Sequence, residues 1–406
     1  MKKFRLLPAV AAICGIVFGA FAAEPAAPRF SIKVLPTRAV NIDDQFSGIL
    51  PKRPPLIPTV SRAVAGEPFE VRVFYRGAAI RYGCVSLTGK LAVVDPAGKR
   101  TEVPLKGKAL SQSGIKGDTG GVFVLPMALK VVFEPNEPRG KYVFEVELSD
   151  LFAGKTARAV AEVEFAAEPR PAAAESGEAW KKLENYYREP SPEYILSAFG
   201  EFLANLPRQK EREKQSFNPL PQLAFFYFLL KENPQCVDAF AAEVKKLHGE
   251  EKYLGGVVLH FAAPRAADGC ISAEGREFIR KQLPSDPFVF DKATAPWQLD
   301  VCWAEFMVRG TRAPVMKVVD AMGMAPQSLT VEQYKKIANP TEEDKQRLFR
   351  GITVSAACWS MGSLAKRHDL LRWYVEAALV RGEIKDPVAA ALAAKSIGMR
   401  VETKRR

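Results

Sequence analysis

The stretch AAEPRPAAAESGE, from Ala166 to Glu178, most constrains what this chain can fold into. It mixes prolines, alanines and charges with no apolar face, which is the composition of a linker and not of a packed element. On its N-terminal side apolar residues recur at every second position. On its C-terminal side they recur every three to four. No single layer satisfies both periods, so the sequence predicts two domains of different class. The expected boundaries are a strand domain over 30–166, a linker over 167–178 and an α-helical domain over 179–400. The length agrees, because 406 residues exceed what one hydrophobic core usually organises.

Within the first domain, PFEVRVFYRG (Pro68 to Gly77) sets Phe69, Val71, Val73 and Tyr75 against Glu70 and Arg72. That alternation predicts one face inward and one in water. Asp95-Pro96-Ala97-Gly98 separates two more strand patterns; the proline presets the turn's first φ, and Gly98 accepts a conformation other residues resist. KYVFEVELSD and ARAVAEVEF form a similar pair about Phe152-Ala153-Gly154-Lys155, with Tyr142, Phe144, Val146 and Leu148 sharing one parity. Short strands between Gly and Pro turns predict an antiparallel β-sandwich. The segment FEPNEPRGKYVFEVELSD, in which Pro138, Gly140 and Tyr142 lead into a late strand, resembles the end of immunoglobulin-like domains of exported bacterial proteins. The resemblance implies an immunoglobulin-like sandwich and leaves function open, because sandwiches host many roles.

After the linker, Tyr194/Ile195, Ala198/Phe199 and Phe202/Leu203 recur at helical spacing behind Pro190-Ser191-Pro192. Leu223 to Leu230 is apolar on nearly every side, as a central buried helix should be. Asn233 is expected to cap the next helix, with Pro234 at its first position. Further helices are expected at 250–262, 273–283, 296–309, 314–322, 330–338, 341–366, 369–381 and 387–397. Short polar connections suggest helical hairpins stacked as a solenoid-like array or an irregular bundle, without a fixed repeat period. The pieces FFYFLLKENPQCV, LDVCWAEFMVRGTRAPVMKVVDAM and AACWSMGSLAKRHDLL resemble helical domains of uncharacterised bacterial envelope proteins. That resemblance implies a helical fold and no particular activity.

The chain starts MKKFRLLPAVAAICGIVFGAFAAEP, with a basic end, an apolar run and the small-x-small site Ala20-Phe21-Ala22. These are the parts of a secretory signal, expected over 1–22 and cleaved after Ala22. Export to the periplasm or cell exterior follows; an uncleaved signal anchoring the chain in the inner membrane is the alternative. Lipidation at Cys14 is disfavoured by Ile13, where a small residue is needed. No later run reaches the roughly 20 apolar residues of a membrane helix. Losing the three basic residues of the signal takes the formal charge from +12 to +9. The remaining excess is spread over both halves, and a nucleic-acid reader would concentrate it on one element, so no nucleic-acid partner is expected.

No motif for chemistry survives inspection. His248, His260 and His368 fall in separate elements, and His248-Gly249-Glu250-Glu251 lacks the second histidine of HExxH, with Gly249 read as a helix end. Ser363 and Lys366 fit SxxK without its companion motifs, and read better as a packing residue and a solvated one. Ala153-Gly154-Lys155-Thr156 has Ser149 where a phosphate loop needs glycine. GIKGDTGG (Gly114 to Gly121) could cradle an anion, although an inter-strand loop accounts for it. No catalytic, cofactor-binding or metal-binding residues are assigned, and no cofactor is expected.

Five cysteines follow the signal. Cys84 stands alone in the strand domain; Cys236, Cys270, Cys302 and Cys358 allow three complete disulfide pairings between which the sequence does not choose, and Cys236 with Cys270 and Cys302 with Cys358 would link neighbouring hairpins. Buried free thiols are the other reading. The two Cys-Trp pairs, Cys302-Trp303 and Cys358-Trp359, read as core packing. Trp303 has Leu299, Phe306 and Met307 within one turn, whereas the small neighbours of Trp359 would let another helix approach its indole. The expected function is a non-enzymatic exported or envelope protein that binds another protein or a cell-envelope polymer, since helical arrays offer broad concave faces. The alternatives are a hydrolase of envelope or extracellular polymer, its acids assembled by the fold, and a structural spacer.

Overall fold

Strict apolar alternation in KYVFEVELSD builds the spine of the N-terminal half. β7 (Gly140–Asp150) and β8 (Lys155–Phe165) pair antiparallel from Gly140 opposite Phe165 to Asp150 opposite Lys155. Gly154 closes their turn at φ +63°, a left-handed conformation that glycine tolerates. The buried Asp150 carboxylate holds that turn by accepting from the amides of Ala79, Phe152 and Ala153. The computed structural model describes residues 29–46, 57–103, 110–113, 121–166, 178–213 and 218–399. The expected signal, Cys14, nearly all of the linker, Gly114 to Gly120 and the basic tail lie outside the described residues.

Two sheets share one core. The first has the order β1 (Ser31–Thr37), β3 (Phe69–Arg76), β6 (Phe123–Val131). The second has the order β2 (Arg62–Ala63), β8, β7, β4 (Leu87–Val94), β5 (Arg100–Val103). Phe69 and Phe144 meet edge to face between them, and Phe133 stacks on Phe165 at 4.7 Å between centroids. The turn at Asp95 forms as the sequence suggests, with the Gly98 amide donating to the Asp95 carbonyl and φ +82° at Gly98. Tyr142 Oη donates to the Pro138 carbonyl at 2.9 Å, pinning the entry to β7.

Two expectations need correction. The second sheet is mixed, because the two-residue β2 pairs parallel to the end of β8. A hairpin can join only antiparallel strands, and β2 and β8 are free to run parallel because β3 to β7 intervene between them in the chain. The second face of β3 is not in water. Phe74 and Arg72 are both buried there, beneath Ala39, Ile42, Phe46 and Ile57. Arg72 is tolerated because its guanidinium makes a forked pair with Asp43, at 3.0 and 2.9 Å, while Nε donates to Glu70.

That covering segment also joins the halves. α1 (Ile42–Gln45) leads to Phe46, whose ring lies against Phe74 and, at 6.1 Å, against Trp373 of the helical half. The Val40 amide donates to the Tyr187 carbonyl, and Asn41 Nδ2 donates to the Arg309 carbonyl.

The helical half begins with α2 (Ala179–Leu183), α3 (Ile195–Glu213), α4 (Leu220–Glu232), α5 (Val237–Lys246) and α6 (Gly249–Ala262). Then come α7 (Pro264–Asp268), α8 (Ala273–Gln282), α9 (Pro296–Arg309) and α10 (Arg312–Met322). The last are α11 (Val331–Tyr334), α12 (Glu342–Leu364), α13 (Asp369–Val380) and α14 (Pro387–Ser396). Among the described residues no helix is long and apolar enough to cross a membrane. Every residue from Leu223 to Leu230 is buried, as the all-round apolar run requires. α9 serves two cores: Val301, Ala304 and Val308 face the core around α4, while Leu299, Cys302 and Phe306 face the core of α10 and α12 to α14.

Local signals mislead at two helix ends. Asn233 stands before Pro234 as expected, but its side chain does not cap; buried, it accepts from Tyr186 Oη at 2.7 Å and donates back to the Leu229 carbonyl. Gly249 opens α6 instead of closing the helix before it.

Glycines inside helices carry opposite constraints, and this gives a paired prediction. A methyl group on Gly351 in α12 would meet the Leu329 carbonyl oxygen at 2.0 Å, whereas one on Gly200 in α3 would meet nothing within 4 Å. Gly200→Ala should therefore stabilise by about 0.5–1 kcal/mol, the usual helical gain. Gly351→Ala should destabilise by roughly 1–3 kcal/mol, because backbone must move. Urea titration of both variants checks the signs; a stabilised Gly351→Ala would contradict the close approach.

A tryptophan-lined candidate site

α9 presents one stripe of Trp297, Asp300, Trp303, Ala304 and Met307 to a cleft of about 600 Å³. These residues recur at three to four positions, so they lie along one helix face. From Trp297 to Met307 the stripe runs about 15 Å at the usual rise per residue. The opposite walls come from three other places: Asn218, Pro221, Gln222 and Phe225 at the start of α4, Trp180 on α2, and Trp359, Ser360, Ser363 and Leu364 at the end of α12. Arg367, just past that helix, completes the lining.

Each wall is fixed by local bonding. Glu201 of α3 accepts from the amides of Ala179 and Trp180, anchoring the first turn of α2. The Trp180 indole then packs at 5.0 Å on Phe225 and edge-on to Phe226. At the start of α9, Pro296 takes the first position, where its missing amide costs nothing. Gln298 Oε1 accepts from the amides of Thr294 and Ala295, and Trp297 rests edge-on against Phe290. α12 starts with a capping box in which Thr341 and Asp344 bond each other's amides. Gly362 lets the Ser396 carbonyl of α14 approach to 3.0 Å of where a methyl would sit.

The four indoles of the cleft differ sharply in exposure. Trp303 is 3% exposed, and its Nε1 has no hydrogen-bond partner. Trp359 is 76% exposed. This corrects the expectation that both Cys-Trp pairs are core. The small residues near Trp359 do admit a helix, but α14 seats on Gly362 and leaves the indole standing at the cleft rim. Water-exposed tryptophan of this size marks a surface that meets something.

Polar groups sit between the rings. The Asp300 carboxylate keeps accessible surface in the open cleft, yet protein atoms crowd it, and that burial pushes its pKa up to about 6. Water reaching it through the mouth tempers the effect. Gln222 Oε1 is a buried acceptor without a partner. Arg367 is exposed. Among the described residues Asp300 is the one carboxylate lining this cleft.

The sequence-selected residues are scattered with respect to this site. All five cysteines of the described residues are free thiols in this structure. Cys302 is buried on the far side of α9 from the cleft stripe, and desolvation pushes its thiol up to about 12. Cys358 is half-buried on α12, Cys236 lies in the single turn after Asn233, and Cys270 donates to the Ala266 and Ala267 carbonyls. Burial raises the pKa of each of these three as well. Ser363 lines the cleft, but Lys366 lies beyond the end of α12 and points to solvent as an exposed residue. His248 precedes α6, His260 sits within it, and His368 precedes α13, where burial lowers its pKa to about 4. Among the described residues no three His, Cys, Asp or Glu side chains converge as a metal site would require.

Sequence reasoning missed the cleft. Its stripe on α9 was visible as Trp297, Asp300, Ala304 and Met307 at helical spacing, with a charged residue among aromatics as the signal. Comparison of the chain with protein-family models and with curated proteins finds no match.

Proposed function

We propose that this protein is an exported, non-enzymatic binding module that holds an extended polymer chain in the tryptophan-lined cleft. The N-terminal half serves as an immunoglobulin-like sandwich, and the helical half as an irregular, solenoid-like array that carries the site. The observation that carries the reading is Trp359, an almost bare indole at the rim of a cleft already walled by three more. Binding sites combine apolar and aromatic walls with a few convergent polar groups, and this cleft has that composition. Its length along α9 suits a chain better than a compact ligand. Two-carboxylate hydrolysis of a glycosidic bond requires a pair of acids about 5–10 Å apart. Asp300 has no such partner among the described lining residues, which favours holding over cutting.

Titration with two extended probes, chitotetraose and decaproline, tests this through indole emission. At least one should change the emission saturably, and Trp359→Ala should remove the response while leaving the folded spectrum intact. Silence with both probes would contradict a chain-binding cleft. Shortening of a bound probe, seen by mass spectrometry after overnight incubation, would contradict the non-enzymatic reading.

A further inference from the structure

The cleft's hydrogen-bonding groups restrict what can fill it. Resting on the binding reading above, we infer that the occupant is an uncharged glycan, an unbranched chain of β-1,4-linked hexopyranose rings. Four observations converge on this class.

The first is the shape of the walls. Accessible indoles line the cleft from three elements, Trp297 on α9, Trp359 on α12 and Trp180 on α2, while Trp303 of α9 is nearly sealed. Rings with all-equatorial substituents, joined β-1,4, make a flat ribbon with apolar C–H faces on both sides. Such a ribbon lies against aromatic faces while its hydroxyls point to the edges, where polar side chains must stand. The second is length. A span of about 15 Å along the helix accommodates roughly three rings, counting about 5 Å per ring by ordinary covalent dimensions.

The third observation is the balance of donors and acceptors. The Asp300 carboxylate accepts only, while Asn218, Ser360, Ser363 and Arg367 of the same lining can donate. An occupant that meets both kinds of group must carry donors and acceptors together. Sugar hydroxyls donate and accept. A polyproline helix has no N–H, and a quaternary ammonium has no donor hydrogen, so either would leave the Asp300 carboxylate without a hydrogen-bond donor. Peptides that join by strand addition need a free sheet edge, and every described residue of these walls is in a helix or flanks one.

The fourth is charge. One acid and one base, Asp300 and Arg367, line the cleft, so it selects neither a polyanion nor a polycation. The chain's formal charge of +12 further disfavours a cationic occupant held by aromatic faces.

The test is calorimetric titration of the mature protein with cellotetraose, chitotetraose, maltotetraose and decaproline. One or both β-linked tetrasaccharides should bind saturably, and maltotetraose, whose α-links curl the chain, should bind at least tenfold more weakly. Trp359→Ala and Trp297→Ala should each weaken binding tenfold or more. Asp300→Asn, which keeps the shape but changes the acceptor, should weaken it several-fold with no loss of folding by circular dichroism. Trp373→Phe, away from the cleft, should leave affinity unchanged and serves as the control for indirect effects. Binding by decaproline alone would overturn the glycan assignment and leave the chain-binding cleft standing. Equal binding of maltotetraose would overturn the flat-ribbon geometry. No binding by any of the four to the folded protein would overturn both the assignment and the reading beneath it.

Discussion

Phe226→Ala is expected to destabilise the protein by about 3–5 kcal/mol, the range for deleting a fully buried aromatic ring. Phe226 is 0% exposed and sits at the middle of α4. Its ring contacts Phe199 edge-on at 5.1 Å, Trp180 at 6.0 Å and Phe202 at 6.0 Å. These partners come from α2 and α3, so truncation opens a void where three helices meet. A domain's whole stability is about 5–15 kcal/mol, so this one change removes a large part of it. The effect should reach the site as well, because Trp180 leans on Phe225 and Phe226 to form one wall of the cleft. Urea midpoints read the first effect and probe affinity reads the second. A loss below about 1 kcal/mol would mean that the α4 core collapses around the gap or is not packed as described.

The second large effect is an asymmetry around Arg72. The Arg72 side chain is 7% exposed, with Asp43 and Glu70 as its partners. Asp43→Ala with Glu70→Ala leaves the guanidinium buried and unpaired, a change that costs about 3–5 kcal/mol in well-buried pairs. Asp43 is largely exposed, so solvent screening reduces the figure to roughly 2–3 kcal/mol. Arg72→Met removes the charge itself and keeps much of the volume, so it should cost less than the double acid variant. Urea, which adds no ions, is the denaturant that preserves the comparison. If Arg72→Met proves the more damaging of the two, then the methylenes of Arg72 matter through packing and the charge pair does not. Because this pair sits under the segment that carries Phe46 to Trp373, its loss should also loosen the contact between the halves.

Much of the fold was legible wherever one short window held the cause. The span expected at 296–309 is α9 to the residue, because Pro296 and Gly310 punctuate both ends. The alternation in β7 gave its buried face without error, since a single face meets the core. β3 failed for the opposite reason: what covers its second face, Ala39, Ile42, Phe46 and Ile57, lies well upstream, and Arg72 finds its partner 29 residues upstream. Asn233 failed similarly, as the group that claims its side chain, Tyr186, lies 47 residues away. The cleft needed still more, the meeting of α2, α4, α9 and α12. The neighbours of Trp303 and Trp359 differ in size, but that difference did not show that α14 would seat on Gly362 and leave the Trp359 indole open at the rim.

The most direct test of the central claim follows the five indole N–H groups of the chain, one for each tryptophan. Selective ¹⁵N labelling of tryptophan, with the assignments made by single Trp→Phe variants, gives one resonance each for Trp180, Trp297, Trp303, Trp359 and Trp373. Saturation with chitotetraose or cellotetraose should shift the Trp180, Trp297 and Trp359 signals, with Trp359 moving most and Trp373 staying in place. A spectrum in which Trp359 does not move, or in which Trp373 moves alone, would contradict the cleft as the site of binding.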